Sequence, residues 1–424
     1  MSFINPIQQL FSNPGAFAQS FDDSFLLLTN SSFSKEMTDL YQFKIVDTIT
    51  NSKLFIPTFF NFSENCLKEF NYCLKIERVN IISLLESYLN SLEITHLFSQ
   101  PKWELQNRIL FDLDFNKIQD QIQRAQIDKA VVMTTEKSDW HPSLNDRILM
   151  LLNLLIKCPK HLYIYSHWSN SSGVIGATPE FLYHRNGQMI QTMALAGTLD
   201  KRKLKSKKTT LGITGSQQLE TIEFIENQKE LSEHQYVIDD LTEKLETVSV
   251  DTKIYGPRVV EFPHLFHLQT EIHARLSEVP NLESFDYQLT EKLHPSSALG
   301  LRSKKIHWHW LKELNGHLKL GHFGAPIGIR IPDGYFCLVG IRNLEWDDKE
   351  SYLRAGSGIV AQSNADSEWQ ELEAKRESVK SLLGLTQNSS QIKNQDTGFS
   401  QITENLLSMN RHPHVLSDQL ELTK

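Results

Sequence analysis

Two segments of the sequence carry a pair of glutamates spaced three residues apart. Glu230 and Glu233 lie in KELSEH, and Glu368 and Glu371 lie in SEWQELEAK. On a helix, this spacing places both carboxylates of a pair on one face. Such hard oxygen ligands suit Mg²⁺, which takes one or two protein carboxylates and completes its shell with water and substrate oxygens. A single pair is most often a solvated helix face, so the spacing alone does not establish a metal site.

Two glycine-containing segments, Ala196-Gly197-Thr198 and Gly356-Ser357-Gly358, each follow a predicted strand. We expect turns at both places. Backbone N–H groups beside glycine are open enough to approach a carboxylate closely, so these segments are candidates for anion binding. Ordinary structural turns are the alternative interpretation.

The chain has 424 residues and a formal net charge of −8, with 40% hydrophobic and 22% charged residues. This composition is typical of a folded globular protein. The negative charge disfavours nucleic acid or an anionic membrane as a partner, because both are held mainly by Lys and Arg. An anionic substrate must therefore be held by local features.

The sequence indicates neither export nor membrane insertion. The N-terminus lacks the basic start and apolar run of a signal peptide, and no apolar stretch of about 20 residues occurs. The four cysteines include no C-x-x-C pair, which argues against a disulfide framework or a zinc cluster. We therefore expect a protein of the reducing cytoplasm.

Apolar residues recur at helical spacing in four segments, which we predict to be helices. The second of them is expected to be interrupted near Asp114. A fifth helix is predicted through EWQELEAKRESVKSLL, with Asn364 and Asp366 as its capping residues. The four segments span residues 79–97, 104–126, 143–157 and 216–248.

Strand signals accompany these helices. DKAVVMTT and HLYIYSHWS are predicted to be strands, the first of them buried. Asn186-Gly187 stands between two strand-like runs and predicts a tight hairpin. The polar DDKE between YFCLVGIRNLEW and SYLRAGSGIV predicts a second hairpin.

Seven motifs follow one another in a fixed order along the chain. They are GATPEFL, ALAGT, KELSEH, LHPSSALG, FGAPIG, VGIR and AGSGIVAQSNADSEWQELEAK. Together they resemble the successive motifs of the chorismate-utilising family, which includes isochorismate, salicylate, anthranilate and aminodeoxychorismate synthases. The resemblance covers about residues 105–385.

The resemblance implies an α+β fold with extensive antiparallel sheets, outer helices and a central active-site cleft, and the hairpin signals agree with it. It also implies a catalytic domain at residues 105–385. Residues 1–104 are expected to complete the sheet scaffold. Residues 386–424 are polar and are predicted to be a mobile tail.

The resemblance further implies where the small molecules bind. Mg²⁺ is expected on Glu233 and Glu371, with Glu230 and Glu368 as flanking acids, and it would bridge them to the ring carboxylate of chorismate. A cation between the two sets of carboxylates explains how an acidic protein binds a dianion. The implied substrate contacts are Gly197, Thr198, His294, Arg342, Gly356 and Lys375.

The residue that opens the strand DKAVVMTT separates the branches of the family. Isochorismate and salicylate synthases carry lysine where the ammonia-using members have glutamine, and this chain has Lys129. The resemblance implies that Lys129 is the general base that activates water for attack at ring C2. Glu180 of ATPE is implied as the general acid that protonates the departing C4 hydroxyl. Both roles require a closed, fairly dry cleft.

These residues favour an isochorismate synthase for menaquinone or siderophore biosynthesis. A salicylate synthase, which eliminates pyruvate from isochorismate in the same pocket, is the first alternative. An ammonia-transferring enzyme with a glutaminase subunit is disfavoured by Lys129. A chorismate-binding protein without turnover is the remaining alternative.

Four positions depart from the family pattern. Thr134 replaces the arginine of the strand motif, Ser297 a proline, and Ile329 a tryptophan. Arg354 replaces an aromatic residue before the A-G-x-G segment, and arginine also occurs there in salicylate synthases. The residues thus leave the choice between isochorismate and salicylate as product open.

Overall fold

The computed structural model describes twelve stretches of the chain and one α+β architecture within them. Helices and strands are given below with their bounds, and all statements concern these stretches. The described residues are 6–19, 24–31, 44–45, 52–63, 66–92, 101–104, 107–201, 224, 226–262, 265–278, 282–331 and 334–386.

Helices of 7 to 19 residues alternate with the strands. Two short 3₁₀ helices, Trp308–Glu313 and Asn315–His317, follow the sixth of them. The α-helices are α1 (Pro6–Ser12), α2 (Arg78–Ser91), α3 (Arg108–Gln123), α4 (Leu144–Lys157), α5 (Gln228–Glu246), α6 (Leu282–Leu293) and α7 (Ala365–Leu383).

The strands are contributed by the whole length of the described chain, from residue 15 to residue 359. They are β1 (Gly15–Gln19), β2 (Ser24–Thr29), β3 (Lys44–Ile45), β4 (Ser52–Phe55), β5 (Leu67–Phe70), β6 (Tyr72–Glu77), β7 (Lys129–Ser138), β8 (Tyr163–Trp168), β9 (Gly173–Thr178), β10 (Phe181–Asn186), β11 (Met189–Asp200), β12 (Ser249–Glu261), β13 (Leu265–Leu276), β14 (Leu301–Arg302), β15 (Pro326–Ile331), β16 (Gly334–Val339), β17 (Asn343–Trp346) and β18 (Ser351–Ile359).

These strands form two antiparallel sheets. The first has ten described strands in the order β14-β7-β18-β17-β9-β8-β1-β2-β6-β3, and the second has eight in the order β12-β13-β11-β10-β16-β15-β4-β5. Strands from the first hundred residues enter both sheets, with β1, β2, β3 and β6 in one and β4 and β5 in the other. The α+β class and the antiparallel architecture predicted from the resemblance are thus confirmed.

One apolar core fills the space between the sheets. Ala18 and Leu28 of the first sheet belong to the same buried cluster as Phe181 and Leu338 of the second. Helices α1, α2 and α4 pack on the first sheet through a second cluster, which contains Ile148 and Leu152. Burial of each leucine, isoleucine or phenylalanine side chain contributes roughly 1.5–3 kcal/mol to the stability of the fold.

The predicted interruption of helix α3 at Asp114 is wrong. The helix runs unbroken from Arg108 to Gln123, and Asp114 lies inside it with its side chain 2% exposed. Its carboxylate accepts hydrogen bonds from the backbone N–H of Asn315 at 2.9 Å and of Gly316 at 2.8 Å. Asp114 is therefore an anchor for the 3₁₀ helix that follows residue 314, and not a helix breaker.

The helix predicted over 216–248 is shorter than expected. Residues 202–223 and 225 lie outside the described part of the chain, and helix α5 begins only at Gln228. The side chain of Asn227 accepts hydrogen bonds from the backbone N–H groups of Lys229 and Glu230, which fixes the first turn. This cap aligns the acidic pair of KELSEH on the buried side of α5.

The two predicted hairpins are present, with one difference. Strands β10 and β11 pair across residues 187–188, where Gly187 has φ of +56°. Strands β17 and β18 pair around DDKE. The run YFCLVGIRNLEW, however, is not one strand, because β16 belongs to the second sheet and β17 to the first. The chain crosses between the sheets at residues 340–342.

Two remaining expectations concern the C-terminal tail and the absence of membrane-spanning segments. The tail predicted from residue 386 lies outside the described residues from 387 onward. Among the described helices, none is long and apolar enough to cross a membrane.

Candidate active site

A small cavity lies where residues of both sheets meet helices α5 and α7. Its volume is about 60 Å³. A space of this size holds a few water molecules. Its lining includes most of the residues singled out from the sequence, namely Glu180, Gly197, Thr198, Glu233, Arg342, Gly356 and Lys375.

Lys129 lies beside this cavity at the start of β7, with its side chain fully buried. Its Nζ is 3.2 Å from Oε1 of Glu233 on α5. Within the described chain, Nζ makes no hydrogen bond of good geometry, so charge attraction alone accounts for the contact. The nitrogen therefore keeps hydrogen-bonding capacity for a water molecule or a substrate group.

Glu180 stands in the short link between β9 and β10 and is 4% exposed. Its backbone is held by Thr178, whose Oγ1 accepts a hydrogen bond from the Glu180 N–H at 3.2 Å. Burial raises the pKa of Glu180 to about 8, although the positive charges of Lys129 and Lys375 oppose the shift. A carboxyl group that keeps its proton near neutral pH can act as a general acid.

Four carboxylates gather between α5 and α7, three of them buried and in contact with the ammonium group of Lys229. Its Nζ lies 3.1 Å from Glu368, 3.2 Å from Glu230 and 3.4 Å from Glu233. The fourth carboxylate, Glu371, contacts Lys375 at 2.6 Å. The hydroxyl of Ser357 on β18 lies within hydrogen-bonding distance of both Glu368 and Glu371.

The four carboxyl groups differ in their tendency to ionise. Burial raises the pKa of Glu230 to about 7 and also raises that of Glu368, with Lys229 opposing both shifts. Burial acts in the same direction on Glu233 and Glu371, but neighbouring ammonium groups outweigh it and lower both pKa values, that of Glu371 to about 2. Glu233 and Glu371 are therefore the stronger acids of the four.

The chemistry of this donor set fits Mg²⁺. Carboxylate oxygens are its preferred protein ligands, and the Lys229 ammonium stands among them as an internal cation. Among the described residues, no three acidic, histidine or cysteine side chains already converge on one point. The carboxylates would have to close in around a metal, with Glu233 and Glu371 as the residues that hold it.

The segment Ala196-Gly197-Thr198 was predicted from the sequence to be a turn after a strand. This prediction is wrong, because the segment is a bulge inside β11. The pairing with β13 shifts register between Ala196 and Thr198, and Gly197 has φ of +78°. The Thr198 N–H donates to Oε2 of Glu230 at 2.8 Å. In this structure the bulge thus binds a carboxylate of the protein itself.

His267 on β13 was not identified from the sequence, yet it joins two of the predicted site residues. Its Nε2 lies 3.2 Å from Nη2 of Arg342, and its Nδ1 lies 3.0 Å from the Gly197 carbonyl. Because an arginine can only donate, Nε2 must accept and Nδ1 must carry the proton. Burial lowers the pKa of His267 to about 3, so the ring is neutral and orients the guanidinium.

Arg342 is placed by the crossing between the two sheets. It has φ of +55°, a rare conformation for a residue with a side chain. Asn343 holds this bend by donating to the Gly340 carbonyl at 2.9 Å, and Tyr165 donates to the Ile341 carbonyl at 2.9 Å. As a result, Arg342 lines the cavity. Burial lowers the pKa of its guanidinium to about 10.

The glycines of Gly356-Ser357-Gly358 lie within β18, so the predicted turn is wrong here too. A Cβ atom at position 358 would lie 2.1 Å from Oε1 of Glu233 and 2.6 Å from Cε of Lys129. The strand passes directly against the ion pair, so a larger residue at position 358 would displace these side chains. The Gly356 carbonyl accepts a hydrogen bond from Lys375 at 2.8 Å, which fixes that lysine beside the cavity.

His294 is the predicted substrate contact that the structure does not bring into the cavity lining. Its Nε2 donates to the Phe59 carbonyl at 2.9 Å, and its ring packs on Phe59 and Phe62. The side chain is 6% exposed and its hydrogen bond is already made inside the protein. His294 therefore supports the neighbouring segment, from which Ala298 and Leu299 line the cavity.

Comparison with known proteins shows the family of this chain. The family model described as chorismate binding enzyme matches residues 4–384. The chain belongs to the chorismate-binding enzyme family.

Two curated relatives illustrate its place in that family. Isochorismate synthase MenF of Bacillus subtilis (strain 168) is 27% identical over 266 residues, which are 62% of this chain and 53% of that protein. The salicylate biosynthesis isochorismate synthase of Pseudomonas aeruginosa is 28% identical over 217 residues, 50% of this chain and 43% of that protein. The chain thus spans about half the length of the curated relatives it matches.

A solved structure extends the likeness to nearly the whole chain. MenF, the menaquinone-specific isochorismate synthase from Escherichia coli, superimposes with a TM-score of 0.64 at 16% identity. The superposition covers 90% of this chain and 92% of that one. At this identity the likeness concerns the fold alone.

Two of the four departures from the family pattern have partners of their own. Thr134 accepts a hydrogen bond from Arg376, a fully buried residue of α7 that also donates to Glu136. A guanidinium group is therefore present beside strand β7, but it comes from helix α7 and not from position 134. Ser297 is buried, and its N–H donates to Asp240 at 2.8 Å, a bond that a proline could not make.

The other two departures are also accommodated. Ile329 lies in the core between the sheets on β15. Arg354 lines the cavity and forms an ion pair of 2.6 Å with Glu345. It also lines a larger cavity of about 550 Å³ on the other side of this pair. Arg354 therefore stands in the wall between the two cavities.

Proposed function

We propose that this chain is an isochorismate synthase that converts chorismate to isochorismate with Mg²⁺ as cofactor. The observation that carries the proposal is that Glu180, whose pKa is raised to about 8, lines a cavity beside which the fully buried Lys129 lies. A proton donor and a proton acceptor are what the exchange of a hydroxyl group between two ring carbons requires. Relatives named isochorismate synthases support the assignment.

The reaction is an isomerisation in which water enters and water leaves. Lys129, acting as the neutral amine, accepts a proton as water attacks C2, both ring double bonds shift, and the C4 oxygen departs as water with the proton of Glu180. Lys129 and Glu180 then exchange the proton through solvent, which restores both groups. The small volume of the cavity limits the number of competing water molecules.

The remaining residues bind and orient the dianion. Arg342 offers a planar guanidinium for the pyruvyl carboxylate, and His267 fixes its orientation. Mg²⁺, held by Glu233 and Glu371, would supply the positive charge that binds the ring carboxylate. Isochorismate made in this way would serve menaquinone or siderophore biosynthesis.

A salicylate synthase is the second candidate, because Arg354 lines the cavity at the position where salicylate synthases carry arginine. Its ion pair with Glu345 directs the guanidinium toward its own protein, which favours isochorismate as the final product. The two candidates differ only in whether pyruvate is eliminated after the isomerisation.

Product analysis tests the proposal. Purified protein is incubated with chorismate and MgCl₂ without ammonia, and the products are separated by chromatography. We expect isochorismate to accumulate without pyruvate. Salicylate with stoichiometric pyruvate would establish the second candidate, and the absence of any product would refute both. Added ammonia should not change the product, and aminated products would reveal an ammonia-transferring enzyme.

A further inference from the structure

Lys229 occupies the position between the acidic pairs of two different helices. It contacts Glu230 and Glu233 of its own helix α5 and Glu368 of α7, all at 3.1–3.4 Å. The three carboxylate side chains are 2–11% exposed. Without a cation among them, their negative charges would repel one another in a poorly solvated space. One ammonium group therefore holds the ends of α5 and α7 together.

Other lysines do not duplicate this role. Lys129 contacts Glu233 and Lys375 contacts Glu371, so each serves one carboxylate of the cluster. Among the described ion pairs of this cluster, only those of Lys229 join an acid of α5 to an acid of α7. Lys229 thus bridges the two helices through Glu233 and Glu368, next to the place that a metal ion between Glu233 and Glu371 would occupy.

The side chain of Lys229 can leave this position without moving the helix. Its backbone N–H is fixed by the Asn227 cap, while the four-carbon stem is flexible. The side chain is 16% exposed, compared with 0% for Lys129. A change of side-chain rotamer therefore delivers the ammonium to solvent.

We propose that Lys229 is a built-in cation that keeps the metal-binding carboxylates assembled in the metal-free protein, and that Mg²⁺ binds by displacing its ammonium group. The inference rests on the proposed magnesium site and adds a positioning residue to it. Competition lowers the apparent affinity for the metal by the fraction of molecules in which Lys229 still occupies the cluster. The ammonium group of Lys229 also counteracts the repulsion between the carboxylates while no metal is bound.

The first test measures Mg²⁺ binding by calorimetry, with no substrate present. Lys229→Met keeps the length of the side chain and removes the charge, so we expect Mg²⁺ to bind about tenfold more tightly or better than to the wild type. Lys117→Met is the control, because Lys117 forms an exposed ion pair with Glu313 and contacts none of the four carboxylates. Its Mg²⁺ affinity should equal that of the wild type.

Three results would be decisive against the inference. Equal or weaker Mg²⁺ binding by Lys229→Met would refute competition while leaving the magnesium site intact. Tighter binding by Lys117→Met to the same degree would assign the effect to net charge. If neither the wild type nor Lys229→Met binds Mg²⁺, the proposed magnesium site fails, and the inference fails with it.

A second measurement uses the wild type and does not depend on the folding of a variant. Lysines are acetylated briefly with and without MgCl₂, and the modification of each is quantified by mass spectrometry. We expect Lys229 to become several-fold more reactive when Mg²⁺ is added, since its ammonium moves to solvent. Lys244, on the same helix but bonded to Asp240 and two carbonyl groups, should not change. Unchanged or reduced reactivity of Lys229 would contradict displacement.

Discussion

Lys129 and Glu233 form an ion pair of 3.2 Å in which the lysine side chain is 0% exposed and the glutamate side chain 10%. The pair joins the first residue of β7 to α5, so the proposed base and a proposed metal ligand share one contact. Removal of one member of a buried pair leaves the other charge unpaired and strongly destabilises a protein. Experiments on this site must therefore measure folding as well as turnover.

The role of Lys129 as the base predicts the behaviour of Lys129→Ala. Turnover of chorismate should fall by about 10²–10⁴-fold, because proton transfer by a positioned side chain contributes this much. Binding of chorismate, measured by calorimetry, should persist. Lys137→Ala is the matched control, since Lys137 lies on the same strand but is 45% exposed and pairs with Glu350. Unchanged turnover in a folded Lys129→Ala protein would refute the assignment.

The pKa of Glu180 predicts the pH dependence of the reaction. Because the protonated carboxyl is the active form in the proposed mechanism, the rate should fall as pH rises through about 8. Glu180→Gln should lose about 10²–10⁴-fold in rate and should lack this alkaline limb. A pH-rate profile of both proteins checks the prediction, and an alkaline limb retained in Glu180→Gln would contradict it.

The raised pKa of Glu180 also predicts how the free energy of unfolding changes with pH. The pKa of Glu180 is raised from 4.5 to about 8 on folding, so between these values the folded protein keeps a proton that the unfolded chain releases. The contribution of Glu180 to the free energy of unfolding must then decrease as pH rises from 4.5 to about 8. Glu180→Gln does not titrate, and its stability relative to the wild type should increase over this range. Thermal unfolding at pH 5 and pH 8 measures the difference, and a difference independent of pH would count against the raised pKa.

Much of this site could be predicted because its residues lie in motifs whose order along the chain is informative. The capping of α7 by Asn364 follows from local chemistry, and the strand that opens at Lys129 follows from its apolar run. The role of Lys229 could not be predicted from spacing, since a lysine at the start of a helix is ordinarily solvated. Only the fold brings Glu368, more than a hundred residues away, to its ammonium group.

The errors have a common physical cause, which is tertiary contact. Asp114 has the chemistry of a helix breaker, but its carboxylate is satisfied by backbone N–H groups from a distant segment. His267 lies in a strand of ordinary composition, so nothing in the sequence marks it as a site residue. Its role becomes visible only in the structure, where its ring contacts the guanidinium of Arg342. The substrate contact of His294 stays a prediction, since the hydrogen bond to Phe59 shows only that its ring is already held inside the protein.

The close approach of Gly358 to the ion pair predicts a steric effect. A Cβ atom at this position would lie 2.1 Å from Oε1 of Glu233, so Gly358→Ala must displace that carboxylate or the strand. Affinity for Mg²⁺, measured by calorimetry, should fall at least about tenfold, equivalent to about 1.4 kcal/mol. In Gly187→Ala, at an open hairpin with φ of +56°, stability should fall slightly and Mg²⁺ affinity should not change. Normal metal binding by Gly358→Ala would show that the site does not depend on this contact.

The anchoring of the 3₁₀ helix predicts a pure stability effect away from the cavity. Asp114→Ala leaves the backbone N–H groups of Asn315 and Gly316 without their acceptor, which should cost about 1–3 kcal/mol in the free energy of unfolding. Asp112→Ala on the same helix removes only an exposed pair with Arg108 and should cost about 0.5 kcal/mol or less. Chemical denaturation measures both, and equal effects would contradict the anchoring role.

The source of the oxygen in the product tests the central claim, that this enzyme adds water to C2 of chorismate, most directly. The reaction is run with MgCl₂ in H₂¹⁸O, and the isochorismate is analysed by mass spectrometry. We expect one ¹⁸O atom per product molecule, located in the C2 hydroxyl group. Isochorismate without the label would show that the C4 hydroxyl is transferred within the molecule, and the absence of isochorismate would contradict the proposed function itself.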